Sequence, residues 1–256
     1  MDNSLLIGLS RQVALVRELE VVANNIANIG TTGYKSDRSV FEQYLMLPAN
    51  SGEFPAGSRQ LAYVRDRATW HNLAPGPIQR TGGPLDVAID GDAFLVVQTA
   101  AGPRYTRNGA LQLSPTGALV TNQGDPVLGT GGPIQFQNTD HDISIGEDGT
   151  ITVREGASAT SDSTRGQLQL AHFANPAALQ KQGGSLFSAP GGVAPEQASL
   201  NVRVVQGAIE QSNANPVGEM SRMIEITRTY EQISNILQLE NAERTTALDK
   251  LAAVPA

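Results

Sequence analysis

Three places in the sequence have residue types that could do chemistry. Asp86–Asp92, DVAIDGD, sets carboxylates at intervals that resemble a calcium loop. Such a loop needs oxygen ligands at alternating positions and a closing bidentate glutamate. Ala88 occupies one of those ligand positions, and no Glu follows at the required distance. The run reads instead as a strand, an Asp-Gly turn and a second strand. Asp140-His141-Asp142 is the second place, but adjacent side chains in an extended loop point in different directions, so a solvated turn is expected. The third is the set of three histidines, His71, His141 and His172, which shows neither metal-ligand spacing nor an HExxH pair. No Gly-x-Ser-x-Gly elbow, Walker loop or dinucleotide fingerprint occurs. Gly129–Gly132 lacks the lysine and following helix of a phosphate site. With no cysteine, disulfides, thiolate metal sites and thiol nucleophiles are excluded together. The expectation is a non-enzymatic chain with no catalytic residue, no cofactor and no metal.

The elements around these residues carry more information. Net charge is −7 and no basic patch appears, so no nucleic-acid partner is expected. No run approaches the roughly 18 apolar residues of a membrane span, which argues against direct membrane insertion. Arg11, Arg17, Glu18 and Glu20 interrupt the N-terminus, which does not read as a cleavable secretory signal. The 26 glycines and 14 prolines gather in the middle of the chain, between short strand-like runs. These runs are Leu85–Ile89, Ala93–Gln98, Ala118–Thr121, Ile143–Ile145, Thr150–Val153 and Leu168–His172. Turn signals separate them: Asp90-Gly91, Asn108-Gly109, Thr116-Gly117, Gln123-Gly124, Asp148-Gly149 and Gly183-Gly184. Stretch 48–57 reads as a linker, and 156–164 and 183–195 read as exposed loops.

Both ends read as helices. Leu5, Leu9, Val16, Leu19, Ala23 and Ile26 follow a heptad step completed by Gln12, widened by Leu6, Val13 and Val22. This helix should stop near Asn28–Gly30, where Asn and Gly tolerate the left-handed conformation. The last helix should run from Val217 to about Leu251. Asn215 serves as its cap, Pro216 takes its first position and Glu219 lies in its first turn. Ile226, Tyr230, Ile233, Leu237, Glu240, Arg244, Ala247 and Leu251 form its seam. The polar, turn-rich middle offers neither helix an obvious partner, so each is expected to pair with the other and with neighbouring subunits. The charges at Glu240 and Arg244 suit an assembly interface better than a monomer core. The fold expected is α+β, with paired coiled-coil-like N- and C-terminal helices and a central antiparallel β-rich domain. Its divisions are 1–36 (helix and motif), 37–81 (extended connecting segment), 82–206 (β-rich domain) and 207–256 (C-terminal helix).

Residues Ala23–Arg38 read ANNIANIGTTGYKSDR. Asn24 and Asn28 share a helix face, and asparagine is a poor helix former. They either cap the helix or present amides to a partner, and Gly33 then turns the chain so that Tyr34 can anchor it. This pattern resembles the N-terminal motif of the flagellar rod and hook family, close to ANNxANxxTxGYK. QSNANPVGEMSRMIEITRTY at Gln211–Tyr230 resembles the closing motif of that family. GGPLDVAIDGDAF at Gly82–Phe94 and YTRNG at Tyr105–Gly109 follow it through the centre. Ala214 departs from the valine more usual there. Met1-Asp2-Asn3, the run Pro75–Asp86 and Asn108 lean toward proximal-rod members. Distal-rod members more often carry Asp at the place of Asn108 and a doubled Phe near Phe94.

The resemblance implies a rod subunit that transmits torque. It would be exported uncleaved through the flagellar type III export apparatus and assemble with copies of itself and other rod proteins across the periplasm. Its terminal helices would form the inner tube and its β domain would lie outside. The assembly interface expected on this basis comprises Leu5, Leu9, Val16, Leu19, Ala23, Asn24, Asn25, Ile26, Asn28, Gly33 and Tyr34. From the C-terminal motif it adds Ser212, Asn213, Asn215, Glu219, Met220, Met223, Tyr230, Ile233 and Leu237. The competing expectations are an exported β-domain binding protein or adhesin and an enzyme with helical appendages. An enzyme has no need for paired terminal motifs.

Overall fold

The computed structural model describes residues 2–46, 61–156, 162–191, 195–197 and 202–252. Side chains are described for 6–40, 69–156, 162–191, 195–196 and 202–250. The linker expected at 48–57 and the side chains of Leu5 and Leu251 lie outside these limits. The arrangement is α+β, with one helix at each end and many antiparallel strands between them. It forms two compact units, neither continuous in sequence: Met1–Ala27, Asp37–Trp70 and Asn215–Ala256 make one, Asn28–Ser36 and His71–Ala214 the other.

The first unit holds α1 (Asp2–Ala27) and α2 (Pro216–Ala252). Asn215 starts α2 as a cap should: its Oδ1 accepts from Gly218 N–H at 3.3 Å, and its carbonyl accepts from Glu219 N–H at 2.9 Å. On α1 the buried positions Ala14, Glu18, Val22 and Asn25 recur every three or four residues and so mark one face. Arg222 of α2 pairs with Glu18, and the Leu237 side chain lies where a Cβ on Gly8 would fall. These two contacts run in opposite order along the helices, so α1 and α2 are antiparallel. Strands Asp37–Met46 and Leu61–His71 form a two-stranded ribbon. Asn25 ties its start to α1, donating from Nδ2 to the Asp37 carbonyl at 2.8 Å and accepting the Asp37 N–H at 2.9 Å.

The second unit is built around a six-stranded sheet. Its order is Gln180–Gln182, Leu186–Ser188, Gly102–Thr106, Ala93–Thr99, Leu170–His172, Glu196–Gln197. Ala93–Thr99 is buried on both faces, which explains its unbroken apolar run. Ala93, Leu95 and Val97 enter one core with Leu119, Val127, Ile134 and Ile151. Phe94 and Val96 enter a second core with Tyr105, Phe173, Leu179 and Phe187. Aromatic edges close the second core, with the Tyr105 and Phe173 centroids 4.7 Å apart. A three-stranded sheet, Asp140–Ile145, Thr150–Glu155 and Asp162–Gln167, supplies Ile145, Ile151 and Val153 to the first core. Two short ladders bring the C-terminal part of the unit back: Arg203–Gln206 pairs with Val87–Asp90, and Ala208–Glu210 with Ile78–Arg80.

Three local readings need correction. Asn108-Gly109 is not a hairpin turn. It joins strand Gly102–Thr106 to strand Leu111–Leu113, which sits in a different sheet. A Cβ on Gly109 would fall 1.7 Å from the Val87 carbonyl oxygen, so close backbone approach requires the glycine there. The stretches read as loops at 156–164 and 183–195 contain the start of strand Asp162–Gln167 and all of Leu186–Ser188. Phe187 is fully buried there, because packing overrides the small, polar composition around it. Asp140-His141-Asp142 opens a strand with a register shift after His141, and Asp142 has φ +50°.

Candidate functional site

The residues of the N-terminal motif that follow α1 are built into the β unit. Asn28 accepts the Thr31 N–H and hydroxyl, closing a turn at the end of the helix, and neither Asn28 nor Gly30 takes the left-handed conformation expected there. Gly33 follows with φ +66°, its N–H donating to the Glu210 carbonyl at 2.8 Å. A Cβ there would fall 2.4 Å from the Asn108 backbone nitrogen. The Lys181 ammonium sits 3.9 Å from the centroid of the Tyr34 ring and donates to the Lys35 carbonyl at 2.8 Å. Asn213 fixes the segment from the other end of the chain. Its N–H donates to the Tyr34 carbonyl at 3.3 Å, and its Oδ1 accepts the Ser36 N–H at 2.8 Å. Its Nδ2 reaches the carbonyls of Asn72 and Ala74 at 2.8 and 2.9 Å.

Lys35 is the centre of this junction. Its side chain is 0% exposed, and Nζ donates to Glu210 Oε1 at 2.5 Å and to the Ala74 carbonyl at 2.7 Å. Glu210 Oε1 also accepts the Gly76 N–H at 2.8 Å, and its Oε2 accepts Arg107 Nη1 at 3.2 Å. Arg107 donates further to the carbonyls of Ile89 and Gly91, and its guanidinium lies 4.9 Å from the Phe94 ring centroid. One carboxylate therefore stands between two cations, and backbone carbonyls take up the remaining positive charge. Burial pushes the Lys35 ammonium and the Arg107 guanidinium below their usual ranges, with Glu210 opposing both shifts. An ammonium with its protons committed to a carboxylate and a carbonyl, and shut off from solvent, is poorly placed to act as a base. The arrangement holds chain segments together.

The carboxylates considered for chemistry are engaged separately. Asp86 accepts the Thr81 hydroxyl at 2.5 Å, and Asp90 faces Arg203 at 3.7 Å. Asp140 pairs with Arg165, and Asp142 with Arg154. Among the described residues no three His, Asp or Glu side chains gather as a metal site. No described helix is long and apolar enough to cross a membrane.

The residues expected at an assembly interface fall into distinct groups. Gly33, Tyr34, Ser212 and Asn213 meet inside the β unit, where Ser212 Oγ accepts the Ala214 N–H at 3.2 Å. Asn25 is buried on Asp37, Asn28 holds its turn and Asn215 caps α2. Leu19 and Ile26 are half-buried on α1, as are Glu219, Met223, Ile233 and Leu237 on α2, while Ala23, Asn24 and Tyr230 are exposed. Leu9 and Val16 lie open with Leu6 and Val13 along one stripe of α1. Met220 lies open with Val217 and Ile224 on α2. Lys35, Arg107 and Glu210 escaped the sequence reading as a set, although two of them stand inside quoted motifs. The available signal was three charges embedded in turn-rich, weakly charged stretches.

Comparison with known proteins places all of these stretches. Residues 5–35 match the model of the flagella basal body rod protein family. Residues 88–153 match that of the flagellar hook protein FlgE/F/G D1 domain, and residues 205–244 that of the flagellar basal body rod FlgEFG protein C-terminal family. The chain is 35% identical to the flagellar basal-body rod protein FlgF of Caulobacter vibrioides, over 99% of this chain and 100% of that protein. The chain belongs to the flagellar basal-body rod protein family. It is 32% identical to FlgF of Escherichia coli over 97% of this chain and 98% of the relative. It is 31% identical to the flagellar basal-body rod protein FlgG of Bacillus subtilis over 93% and 94% of the two chains. Rod-family proteins are structural subunits of the basal body, not enzymes. Each of the three matched stretches supplies one member of that cluster: Lys35, Arg107 and Glu210 in turn.

Proposed function

We propose that this chain is an FlgF-type subunit of the proximal rod, built into a helical tube through its terminal helices. Other rod proteins and further copies of itself would complete the packing of those helices. The observation that carries the reading is the second apolar face of α1. Ala14 and Val22 are covered within the chain, but Leu6, Leu9, Val13 and Val16 are each about half exposed, at a 3-4-3 spacing that makes one stripe. On α2, Ile226 alone among the described apolar side chains is fully buried, while Val217, Met220, Ile224, Ile236 and Leu239 are exposed. Two long helices with so few covered apolar positions leave much of their hydrophobic stabilisation to be found outside the chain. Coiled-coil-like pairing with neighbours supplies it.

On this reading the terminal helices, within 1–36 and 207–256, carry assembly. The weakly covered helices stay loosely ordered in the free subunit, which suits uncleaved passage through a narrow export apparatus into the periplasm. Ordering is then offset by association, and the finished tube transmits torque.

The absence of native cysteine gives a clean test. Leu9→Cys and Val16→Cys, in strains that remain motile, should form cross-linked adducts to neighbouring rod subunits in isolated basal bodies. Val22→Cys, on the covered face, should not. Motile strains without adducts at either open position would overturn the reading.

A further inference from the structure

Segment Asn28–Ser36 sits in the β unit as a ligand sits in a groove. Residues 37–70, which belong to the other compact unit, separate it in sequence from the body it completes. Three consecutive residues are read by three different chemistries. Gly33 is selected by backbone fit, since a Cβ would meet the Asn108 nitrogen at 2.4 Å. Tyr34 is selected by the Lys181 ammonium over its ring. Lys35 is selected by Glu210 and the Ala74 carbonyl, with its side chain shut off from bulk solvent. Asn213 and Asn72 hold the segment's backbone without regard to side chain. This division between sequence-blind backbone holders and side-chain selectors is how extended peptides are recognised in general.

We propose that the groove lined by Asn108, Lys181, Glu210 and Asn213 is a peptide-recognition site for Gly-Tyr-Lys. Its own segment occupies it in the free subunit, and it accepts the same segment from a second copy. Exchange between copies exploits the fact that tethering gives only a finite effective concentration. Closely packed neighbours offer their segments at comparable concentration, and an exchanged element recreates every contact it leaves. The use between copies rests on the rod-assembly reading; the site itself does not.

The test uses full-length chains. In Lys35→Ala the groove is intact but its own segment is defective. A synthetic peptide spanning residues 28–36 should raise the melting temperature of this variant in proportion to the logarithm of peptide concentration. The same peptide carrying Lys35→Ala should do so at least tenfold less effectively. Tyr34→Ala serves as host if Lys35→Ala does not fold. A mixture of Lys35→Ala with Glu210→Gln chains should yield a heterodimer, detectable by native mass spectrometry, that melts above either variant alone. No shift at millimolar peptide, or equal shifts with both peptides, would overturn the site. A peptide response with no heterodimer would overturn exchange between copies while leaving the rod assignment untouched.

Discussion

Lys35 Nζ and Glu210 Oε1 lie 2.5 Å apart across 175 residues of sequence, and neither side chain has more than 1% of its surface exposed. The contact joins the N-terminal motif to the strand that precedes the C-terminal one. Desolvating such a pair costs several kcal/mol per ion, and the attraction recovers this only if the hydrogen bonding is complete. Here the Gly76 N–H, the Ala74 carbonyl and Arg107 supply most of it, although the buried Arg107 Nε has no hydrogen-bond partner.

Removing one partner should therefore cost far more than the pair itself contributes. Lys35→Ala is expected to destabilise the β unit by about 3–5 kcal/mol in guanidinium unfolding. Glu210→Gln should be similarly costly, leaving two buried cations without their carboxylate. The double variant should fall well short of the sum, since each substitution removes a partner the other needed. Additivity within about 0.5 kcal/mol would show that the groups act independently.

Gly33 and Gly30 form a matched pair three residues apart. Gly33 has φ +66° and no space for a Cβ, whereas a Cβ on Gly30 would meet nothing within 4 Å. Gly33→Ala combines a left-handed penalty of about 1–2 kcal/mol with a backbone clash, so a loss above about 2 kcal/mol is expected. Gly30→Ala should lie within about 1 kcal/mol of the parent, and stabilisation is the favoured direction. Equal losses at both positions in thermal unfolding would remove the steric account of Gly33.

Acid should weaken the three-stranded sheet. Hydrogen bonds from Arg165 hold the Asp140 carboxyl below the usual carboxylate range, and Thr150 does the same for Asp148. A carboxyl with a depressed folded-state pKa contributes stability that is present above its unfolded value, near 3.8, and lost as pH falls through the folded value. Unfolding free energy should thus fall as pH drops below about 4. Asp140→Asn should be less stable at neutral pH and show a shallower acid slope. An unchanged slope would assign the acid sensitivity elsewhere.

What the sequence disclosed follows from the range of the forces involved. The cap at Asn215, the end of α1 near Asn28 and the strand Ala93–Thr99 are local, and composition and periodicity were enough to find them. The groove for Gly33–Lys35 was not legible, since a buried lysine has no local signature and its partners come from residues 74, 107 and 210. Strand Leu186–Ser188 was missed for the same reason, as only its pairing with Gly102–Thr106 explains a fully buried Phe187. Asn108-Gly109 carried a hairpin signal, but its glycine answers to the Val87 backbone across the fold.

Val13 and Val22 put one substitution on the two faces of a single helix. Val22 is 2% exposed and Val13 51%. Val22→Asp puts an unpaired carboxylate on the covered face and should lower the helix content of the isolated chain further. Val13→Asp meets water in the isolated chain and should leave its unfolding free energy within about 0.5 kcal/mol. In the assembled rod the order of severity should level, because a neighbour covering the open stripe would bury that carboxylate too. Val13→Asp should then abolish motility and leave the subunit out of purified basal bodies, despite normal folding of the monomer. Wild-type incorporation of a normally folded Val13→Asp chain would mean that the open stripe of α1 faces solvent in the rod, and that assembly uses another surface.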